Sequence, residues 1–445
     1  MLDPAQSTPL DLTDFSTYIA SCLELARQRL GDYSGPEAVA ADEDRINQYP
    51  RLEGLGDPRD IHVFGPETLG EAEIAAARQA LARGKVLLEH TCAGEATRLG
   101  LGTKYLINPP RDLTPEVMER LLGGAHCQLS PQELRPLSLG QRHMLQLAWD
   151  LSHLAREMGR DPAEVLATQH LLVIVNQATA EQVVQDFRQS GFYGFARQKV
   201  MFMVQEAFHG ISKAEDWFYD QDSPKRLHNH GQMLMQTTMD HQLFVIDDSG
   251  GRASLPWSDY RDILARMDDK ISFNIEDLDY LAMALDLPGL AVALKLGGQG
   301  YRMVMEVVAN NPDNPQKGGS CAWDPELGRN VMIESFQLAG LPNSRITHLN
   351  KNINHYPEPV VAVSAVRERG LAMPIAVKNG FLYFQPIQGD VNFLVDTAFV
   401  RRSQLRPIRA WKSGVHTPLA LEAMAAQDAR PGFLDWARSL TGQAL

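Results

Sequence analysis

The sequence predicts an α/β fold: a doubly wound, mostly parallel mixed sheet with helices on both faces. Short apolar runs that suit buried strands alternate with segments of helical periodicity between residues 86 and 308. Polar residues follow the ends of several of these runs, which is where ligands bind in open α/β sheets. A helical N-terminal extension and a small C-terminal cap complete the predicted architecture.

Each predicted element has a local sequence signal. The strand candidates are the apolar runs 86–88, 171–175, 200–204, 271–275 and 301–308. A helix is predicted from about residue 71 to 83, and a longer one from 140 to 158, where apolar residues fall on one face and Gly159 follows as a C-terminal cap. Thr114 and Pro115 suit the start of another helix. Thr179 and Gln182 have the spacing of a capping box.

Three regions are predicted along the chain. Residues 1–80 are rich in charged and helix-favouring residues and are expected to form a helical extension outside the sheet. Residues 81–360 are expected to form the α/β core. Residues 361–445 contain the strand-like segments 374–377, 381–384 and 401–412, which would complete the core, and a terminal helix from residue 418.

Composition limits the classes of partner. The 445 residues carry 42 Lys and Arg against 55 Asp and Glu, so the net charge of −13 opposes binding to nucleic acid. No apolar run approaches the roughly 18 residues of a membrane span, and the N-terminus lacks an export signal. The four cysteines are scattered, which favours free thiols and a cytoplasmic location over a zinc cluster.

The most informative segment is residues 92–104, Cys-Ala-Gly-Glu-Ala-Thr-Arg-Leu-Gly-Leu-Gly-Thr-Lys, directly after the first apolar run. Glycine permits close approach of backbone N–H groups to an anion, and Arg98 and Lys104 add positive charge. The segment therefore predicts a site for a phosphorylated ligand, most simply a nucleotide. It matches neither the dinucleotide fingerprint nor the P-loop. A small-residue strand–helix turn with surface charges is the alternative.

This segment resembles the nucleotide loop of the eukaryotic-type UDP-sugar pyrophosphorylases, which are UTP–sugar-1-phosphate uridylyltransferases. The matching positions are Ala93, Gly94, Thr97, Arg98, Leu99, Gly100 and Lys104. Ala93 and Ala96 replace glycines of the family pattern, and Thr103 replaces its proline. Further motifs follow in the family's order, at 171–179, 192–205, 228–232, 277–287, 303–307, 317–320, 349–352 and 401–409. The resemblance covers residues 84–412 and implies a Rossmann-like, GT-A-like nucleotide-diphospho-sugar transferase fold.

The resemblance also implies a role for each matching residue. Gln205 would read uracil, and a side-chain amide suits the imide edge of that base. The remaining substrate-binding positions are Ala93, Gly94, Thr97, His230, Gly231, Asn350 and Asn352, the last two facing sugar hydroxyls. Asp279 takes the place of the family's metal-binding aspartate, and a carboxylate at a strand end suits Mg²⁺. The catalytic cations would be Arg98 and Lys104 on the triphosphate and Arg409 on the sugar phosphate or the α-phosphate.

The implied reaction is attack of a sugar 1-phosphate on the α-phosphorus of UTP, with pyrophosphate leaving. The protein would align two small-molecule substrates and neutralise their charge. The sequence does not name the sugar, and it leaves open whether the protein forms a homo-oligomer.

Departures from the family pattern keep other functions open. Glu95 puts a carboxylate into a loop expected to face phosphates, where like charge costs affinity. A catalytically silent nucleotide or UDP-sugar binder is therefore one alternative. A glycosyltransferase is another, since Asp277 and Asp279 have Asp-x-Asp spacing. His228, His230 and His241 could suggest zinc, but no cysteine or carboxylate completes that set.

Overall fold

The computed structural model describes residues 3–6, 8, 10–96, 98–124, 127–404 and 409–442, with the side chain of Asn352 excepted. Its helices, in chain order, are α1 (Phe15–Leu30), α2 (Pro36–Ala41), α3 (Glu43–Asn47), α4 (Glu71–Ala82), α5 (Pro109–Asp112), α6 (Pro115–Leu122), α7 (Leu139–Glu157), α8 (Pro162–Thr168), α9 (Ala180–Gln189), α10 (His230–Gln236), α11 (Trp257–Leu264), α12 (Leu287–Gly297), α13 (Pro359–Arg369), α14 (Thr417–Asp428) and α15 (Phe433–Thr441).

The strands are β1 (His62–Phe64), β2 (Val86–Thr91), β3 (His170–Asn176), β4 (Val200–Gln205), β5 (Ala207–Phe208), β6 (Ile211–Lys213), β7 (Trp217–Tyr219), β8 (Arg226–Leu227), β9 (Leu243–Ile246), β10 (Arg252–Leu255), β11 (Asp269–Asn274), β12 (Met303–Ala309), β13 (Ser320–Asp324), β14 (Arg329–Ile333), β15 (His348–His355), β16 (Ile375–Lys378), β17 (Phe381–Phe384) and β18 (Thr397–Arg402).

A mixed central sheet organises the molecule. Its strand order is β1-β18-β12-β15-β11-β2-β3-β4-β9-β10, with β13 and β14 attached beside β15. The middle strands β11, β2, β3 and β4 are parallel, whereas β15 runs antiparallel between β11 and β12. A four-stranded sheet, β16-β17-β6-β7, and the pair β5-β8 lie outside it. The predicted α/β class, with a doubly wound, mostly parallel mixed sheet, is confirmed.

Apolar cores cover both faces of the central sheet. Side chains alternate between faces along a strand, so Leu88 and Val173 enter one core and Leu87 and Leu172 enter the other. Helices α4, α7, α9 and α14 contribute to the first core, and α1, α10 and α13 to the second. Burial on both faces explains why the middle strands are continuous apolar runs.

Helix boundaries follow the sequence signals closely. Thr114 caps α6, since its Oγ1 accepts a hydrogen bond from the N–H of Val117, and α7 ends before Gly159, whose φ of +65° suits glycine. The capping box at Thr179 is wrong. The Thr179 side chain instead donates to Asn176 Oδ1 at 2.8 Å, so it is engaged with the end of β3 rather than with α9.

Both ends of the chain differ in part from expectation. The N-terminal region is helical as predicted, but His62–Phe64 also forms β1, which pairs with β18 at the edge of the central sheet. The terminal helix is two helices, α14 and α15, separated at Pro431 and Gly432, because proline and a glycine with φ of +76° interrupt helical geometry. Within the described ranges, no helix is both long and apolar enough to cross a membrane.

Candidate active site

Four strands of the central sheet end in polar residues at the same edge. Thr91 ends β2, Asn176 ends β3, Gln205 ends β4 and Asn274 ends β11. The sheet register pairs Thr91 with Asn274 and Asn176 with Gln205. Because these strands are parallel, their carboxyl ends form one continuous polar edge.

The loop that follows β2 is folded on itself. The backbone N–H groups of Ala96, Leu99, Gly100 and Lys104 all donate to carbonyl oxygens inside the loop. Ala96 and Leu99 are buried in the core, and Gly100 and Gly102 have φ values of +63° and +76°, which other residues rarely adopt. The loop's glycines therefore shape a rigid turn. The four N–H groups that donate hydrogen bonds within this turn are not free to bind an anion.

Asn176 fixes this loop to the sheet. Its Nδ2 donates to the carbonyl oxygen of Ala93 at 3.0 Å and to Oγ1 of Thr103 at 2.9 Å. Both Ala93 and Thr103 are buried. One side chain at the end of β3 thus holds the beginning and the end of the loop.

Lys104, at the end of the loop, forms an ion pair with Glu276, which follows β11. Only 11% of the Lys104 side chain and 18% of the Glu276 side chain are exposed. The other carboxylate oxygen of Glu276 lies 3.7 Å from Nζ of Lys412. The loop and the turn after β11 therefore meet through opposite charges.

Arg409 forms a second ion pair with Asp279 in the same turn. Arg409 Nε and Nη2 each lie 2.6 Å from Asp279 Oδ1. Backbone hydrogen bonds from Leu278 N to the Arg409 carbonyl and from Trp411 N to the Glu276 carbonyl, both 2.9 Å, join the two segments. Residues 276–279 are thus held between Lys104 on one side and residues 409–412 on the other.

A pocket lies between β11 and β15 at this edge. The two strands pair at Ile271 and His355 and separate towards the carboxyl end of β11. The cavity has a volume of ≈ 140 Å³ and is open to solvent. Glu276, Asp279, Lys351 and Arg402 are among its lining residues.

One side of this pocket is a network of buried charges. Arg402 Nε and Nη2 donate to the two carboxylate oxygens of Glu306 at 2.9 and 3.0 Å, and Lys351 Nζ donates to Glu306 Oε1 at 2.7 Å. Arg402 also pairs with Asp286. Burial alone would raise the pKa of Asp286, but the Arg402 guanidinium outweighs it and holds that pKa below its usual value. These charges neutralise one another within the protein.

Gln205 lies in a buried amide cluster at the end of β4. Its Nε2 donates to the His228 carbonyl and to Gln232 Oε1, both at 3.3 Å. The side-chain N–H groups are thus committed to the protein, which leaves Oε1 as the group that could accept from the N3–H of uracil. The sequence suggested that the amide would offer a ligand both a donor and an acceptor. In the structure only the acceptor, Oε1, is available.

His230 begins α10 and is oriented by the main chain of a neighbouring segment. Its Nδ1 accepts a hydrogen bond from the N–H of Gln388 at 3.1 Å. Burial lowers the pKa of His230 to about 4, so the ring is neutral at pH 7 and carries its proton on Nε2. Gly231 follows; a Cβ there would lie 2.5 Å from the Ile387 nitrogen and the Pro386 carbonyl carbon. Glycine at 231 is therefore required by backbone packing.

Solved structures resemble this architecture over most of its length. Uridine diphosphate N-acetylglucosamine pyrophosphorylase from Trypanosoma brucei superposes with a TM-score of 0.62 at 14% identity, over 88% of this chain and 76% of that one. A variant of UDP-glucose pyrophosphorylase from Leishmania major gives 0.56 at 12% identity, over 90% and 78% of the two chains. UDP-glucose phosphorylase from Trypanosoma brucei gives 0.54 at 14%, over 91% and 74%.

This chain has the fold of the UDP-sugar pyrophosphorylases. No protein-family model matches the sequence, and no curated protein matches it. At these identities the likeness establishes the fold, while the substrates named for the relatives are properties of those proteins.

Within the UDP-sugar pyrophosphorylase fold, the predicted site residues fall into groups. Lys104, Asp279 and Arg409 meet at the turn after β11, whereas Gln205, His230 and Gly231 lie around the end of β4 and the start of α10. The loop joins the two groups, because Asn176 binds Ala93 and is the register partner of Gln205. Gly94 and Arg98 are exposed on this loop, and Thr97 lies outside the described residues.

Asn350, one of the two predicted sugar-binding asparagines, is not among the lining residues of the pocket. Asn350 and Asn352 lie on β15, on either side of Lys351. Because side chains alternate along a strand, Lys351 faces the pocket and Asn350 faces the opposite side of the sheet. The Asn350 N–H donates to the Gly319 carbonyl at 2.7 Å, and the side chain of Asn352 lies outside the described residues.

Among the carboxylates after β11, Asp279 is the predicted magnesium ligand. Among the described residues, no group of three or more His, Cys, Asp or Glu side chains is arranged to hold a metal by itself. Mg²⁺ usually takes one or two carboxylates and completes its shell with water and phosphate oxygens. Asp279 offers such a carboxylate, although it lies in a 3₁₀ turn (Asp279–Leu281) beyond the strand end, which is Asn274.

Three contributors to this site were not singled out from the sequence. Glu276 pairs with Lys104, Asn176 holds the loop, and Gln388 fixes the orientation of His230. Glu276 and Asn176 carry a detectable signal, because each is a polar residue at or just after a strand end. Gln388 contributes a backbone N–H, which no side-chain pattern reveals.

Proposed function

We propose that this protein is a UTP–sugar-1-phosphate uridylyltransferase that produces a UDP-sugar and pyrophosphate. One observation carries the proposal: the glycine loop and the acidic turn after β11, far apart in sequence, meet through the Lys104–Glu276 ion pair. A nucleotide lying along the carboxyl ends of β2, β3 and β4 would place its phosphates where these two segments meet. The fold shared with the UDP-sugar pyrophosphorylases supports the same arrangement.

The described residues supply what such a transfer needs. Gln205 Oε1 would accept from uracil, and Gly94, where an added Cβ meets no atom within 4 Å, leaves room for a nucleoside over the loop. Lys104 would contact the triphosphate and Arg409 the α-phosphate or the sugar phosphate. These cations stabilise the charge that develops as pyrophosphate leaves, and phosphoryl transfer depends largely on such positioning and neutralisation.

Asp279 would hold Mg²⁺, with Asp277 close by. The Asp279 N–H donates to Asp277 Oδ1 at 2.9 Å, so the turn orients both carboxylates. When bound, Mg²⁺ would supply positive charge that offsets the charge of the phosphates. Arg409 contacts only Oδ1 of Asp279, so Oδ2 is the oxygen that would face a metal ion.

The decisive experiment supplies UTP, Mg²⁺ and a panel of sugar 1-phosphates and measures pyrophosphate. Release with at least one sugar supports the proposal and identifies the substrate. Folded protein that releases none with any sugar would contradict it. Free sugar and UDP as products from a UDP-sugar would instead indicate a glycosyltransferase.

A catalytically silent binder remains the second candidate. It is favoured by Glu95, an exposed carboxylate on the nucleotide loop, and by the alanines at 93 and 96. Calorimetry that detects UTP or UDP-sugar binding, together with background pyrophosphate release, would select this function.

A further inference from the structure

The carboxylate of Glu276 holds two cations of the candidate phosphate site at once. It is ion-paired with Lys104, and its other oxygen lies 3.7 Å from Lys412. Lys412 and Glu276 line the pocket between β11 and β15, and half of the Lys412 side chain is exposed. Neither Glu276 nor Lys412 was among the residues expected from the sequence to contact substrate.

The position of Glu276 is set by backbone structure rather than by its own side chain. The Glu276 N–H donates to Asn274 Oδ1 at 3.1 Å, and its carbonyl accepts from Trp411 N at 2.9 Å. The carboxylate is therefore presented to Lys104 from a fixed turn. A side chain that is 18% exposed can still rotate towards solvent when a stronger partner replaces it.

We propose that Glu276 is an internal counter-ion that occupies, on Lys104 and Lys412, the place that ligand phosphate takes. This inference rests on the proposed function, because it assumes that Lys104 binds a polyphosphate. A polyphosphate and the Glu276 carboxylate repel each other and compete for the same ammonium groups. Glu276 thus weakens the binding of metal-free polyphosphate. Because Lys412 shares the Glu276 carboxylate with Lys104, Lys412 becomes a further phosphate contact.

The competition has a physical function because Lys104 is largely buried. Lys104 is 11% exposed, and a buried ammonium without a partner is costly. Glu276 satisfies this charge in the free protein, so the loop keeps its shape before the ligand arrives. The same contact lowers the affinity of any anion that must displace it from Lys104.

The test measures binding of inorganic tripolyphosphate by calorimetry, with chelator present to remove metal ions. Glu276→Gln should bind at least tenfold more tightly than the unchanged protein, because the amide keeps the shape and removes the repulsion. The matched control is Glu181→Gln, which removes a surface carboxylate that is paired with Arg252 and should leave the affinity unchanged. Adding Lys104→Met or Lys412→Met to Glu276→Gln should reverse the gain wholly or in part.

Equal affinities for Glu276→Gln and Glu181→Gln would overturn the inference, as would absence of binding in every variant. Circular dichroism checks that each variant is folded; if Glu276→Gln is not, Glu276→Asp withdraws the carboxylate by one methylene and should tighten binding by a smaller factor. Because this experiment uses neither UTP nor a sugar 1-phosphate, its failure is distinct from failure of the pyrophosphate assay. Pyrophosphate release with unchanged tripolyphosphate affinity would leave the proposed function intact and remove only the role of Glu276.

Discussion

Arg409 directs two guanidinium nitrogens at one oxygen of Asp279, each at 2.6 Å. The residues are far apart in sequence and are joined by backbone hydrogen bonds between their segments. Asp279 Oδ1 is therefore committed to a cation in the free protein. This ion pair therefore ties the turn after β11 to the segment that carries Arg409.

We expect Asp279→Ala and Lys104→Ala each to lower turnover by at least about tenfold, which corresponds to the loss of one charge contact to a transferring phosphoryl group. The measurement is pyrophosphate release at saturating UTP. Asp435→Ala, which removes a surface carboxylate that is 84% exposed, is the control and should retain full rate. Unchanged rates in both site variants would exclude these roles.

Gly231 and Gly94 are expected to respond differently to the same substitution. A Cβ at 231 meets the backbone of residues 386 and 387 at 2.5 Å, whereas a Cβ at 94 meets no atom within 4 Å. Gly231→Ala should therefore lower the melting temperature by about 1–3 °C, because overpacking against backbone costs about 1–3 kcal/mol. Gly94→Ala should keep the melting temperature and raise KM for UTP. Equal melting temperatures for the two variants would contradict the structural account of Gly231.

Removal of Asn176 should loosen the nucleotide loop. Asn176→Ala loses the hydrogen bonds to the Ala93 carbonyl and to Thr103, and leaves a buried carbonyl unsatisfied at a cost of about 1–3 kcal/mol. We expect a higher KM for UTP and faster hydrogen exchange of the loop amides. The control is Asn311→Ala in an exposed loop. Loop exchange rates equal to those of the control would show that Asn176 does not hold the loop.

Buried histidines should make the fold sensitive to acid. Burial lowers the pKa of His90 and of His143 to about 3, and both lie against Tyr280. Below pH 6.5 the unfolded chain binds protons that the native state cannot accept, so the free energy of unfolding falls as pH falls. Each such histidine contributes about 1.4 kcal/mol per pH unit below 6.5 until its native pKa is reached.

His143→Met tests this dependence, because neither ring nitrogen of His143 has a hydrogen-bond partner to lose. Denaturant unfolding at pH 7.5 and 5.5 should show a smaller loss of stability in the variant, by about 1.4 kcal/mol. Any change in packing is common to both pH values and cancels in the difference. Leu145→Met on the same helix is the control. The same loss in all three proteins would contradict the pKa of His143.

The sequence predicted the middle of the sheet well because those strands are buried on both faces. Apolar runs such as 171–175 and 200–204 are typical of central strands. The capping residues of α6 and α7 could also be predicted, because a cap depends on neighbouring residues alone. Strand β1 was missed because three residues at an edge have no periodicity to detect. Its existence depends on pairing with β18, a contact more than three hundred residues away in the chain.

Residue types and motifs predicted candidate site residues, but they did not predict the partners of those residues. Lys104 and Asp279 were identified from their motifs, but their ion-pair partners come from other segments. The amide of Gln205 was expected to offer a donor and an acceptor, and the structure commits its donor to His228 and Gln232. Such a commitment is decided by tertiary packing.

The separation of β11 from β15 has a mechanical consequence. The strands separate where the pocket opens. At this edge, few hydrogen bonds therefore join the half of the sheet that carries the nucleotide loop to the half that carries Lys351 and Arg402. A molecule bound in this gap would connect the two halves of the sheet where interstrand hydrogen bonds are missing. Occupancy should then stiffen the whole sheet, and ligands could be ranked by how far they slow its opening under force or heat.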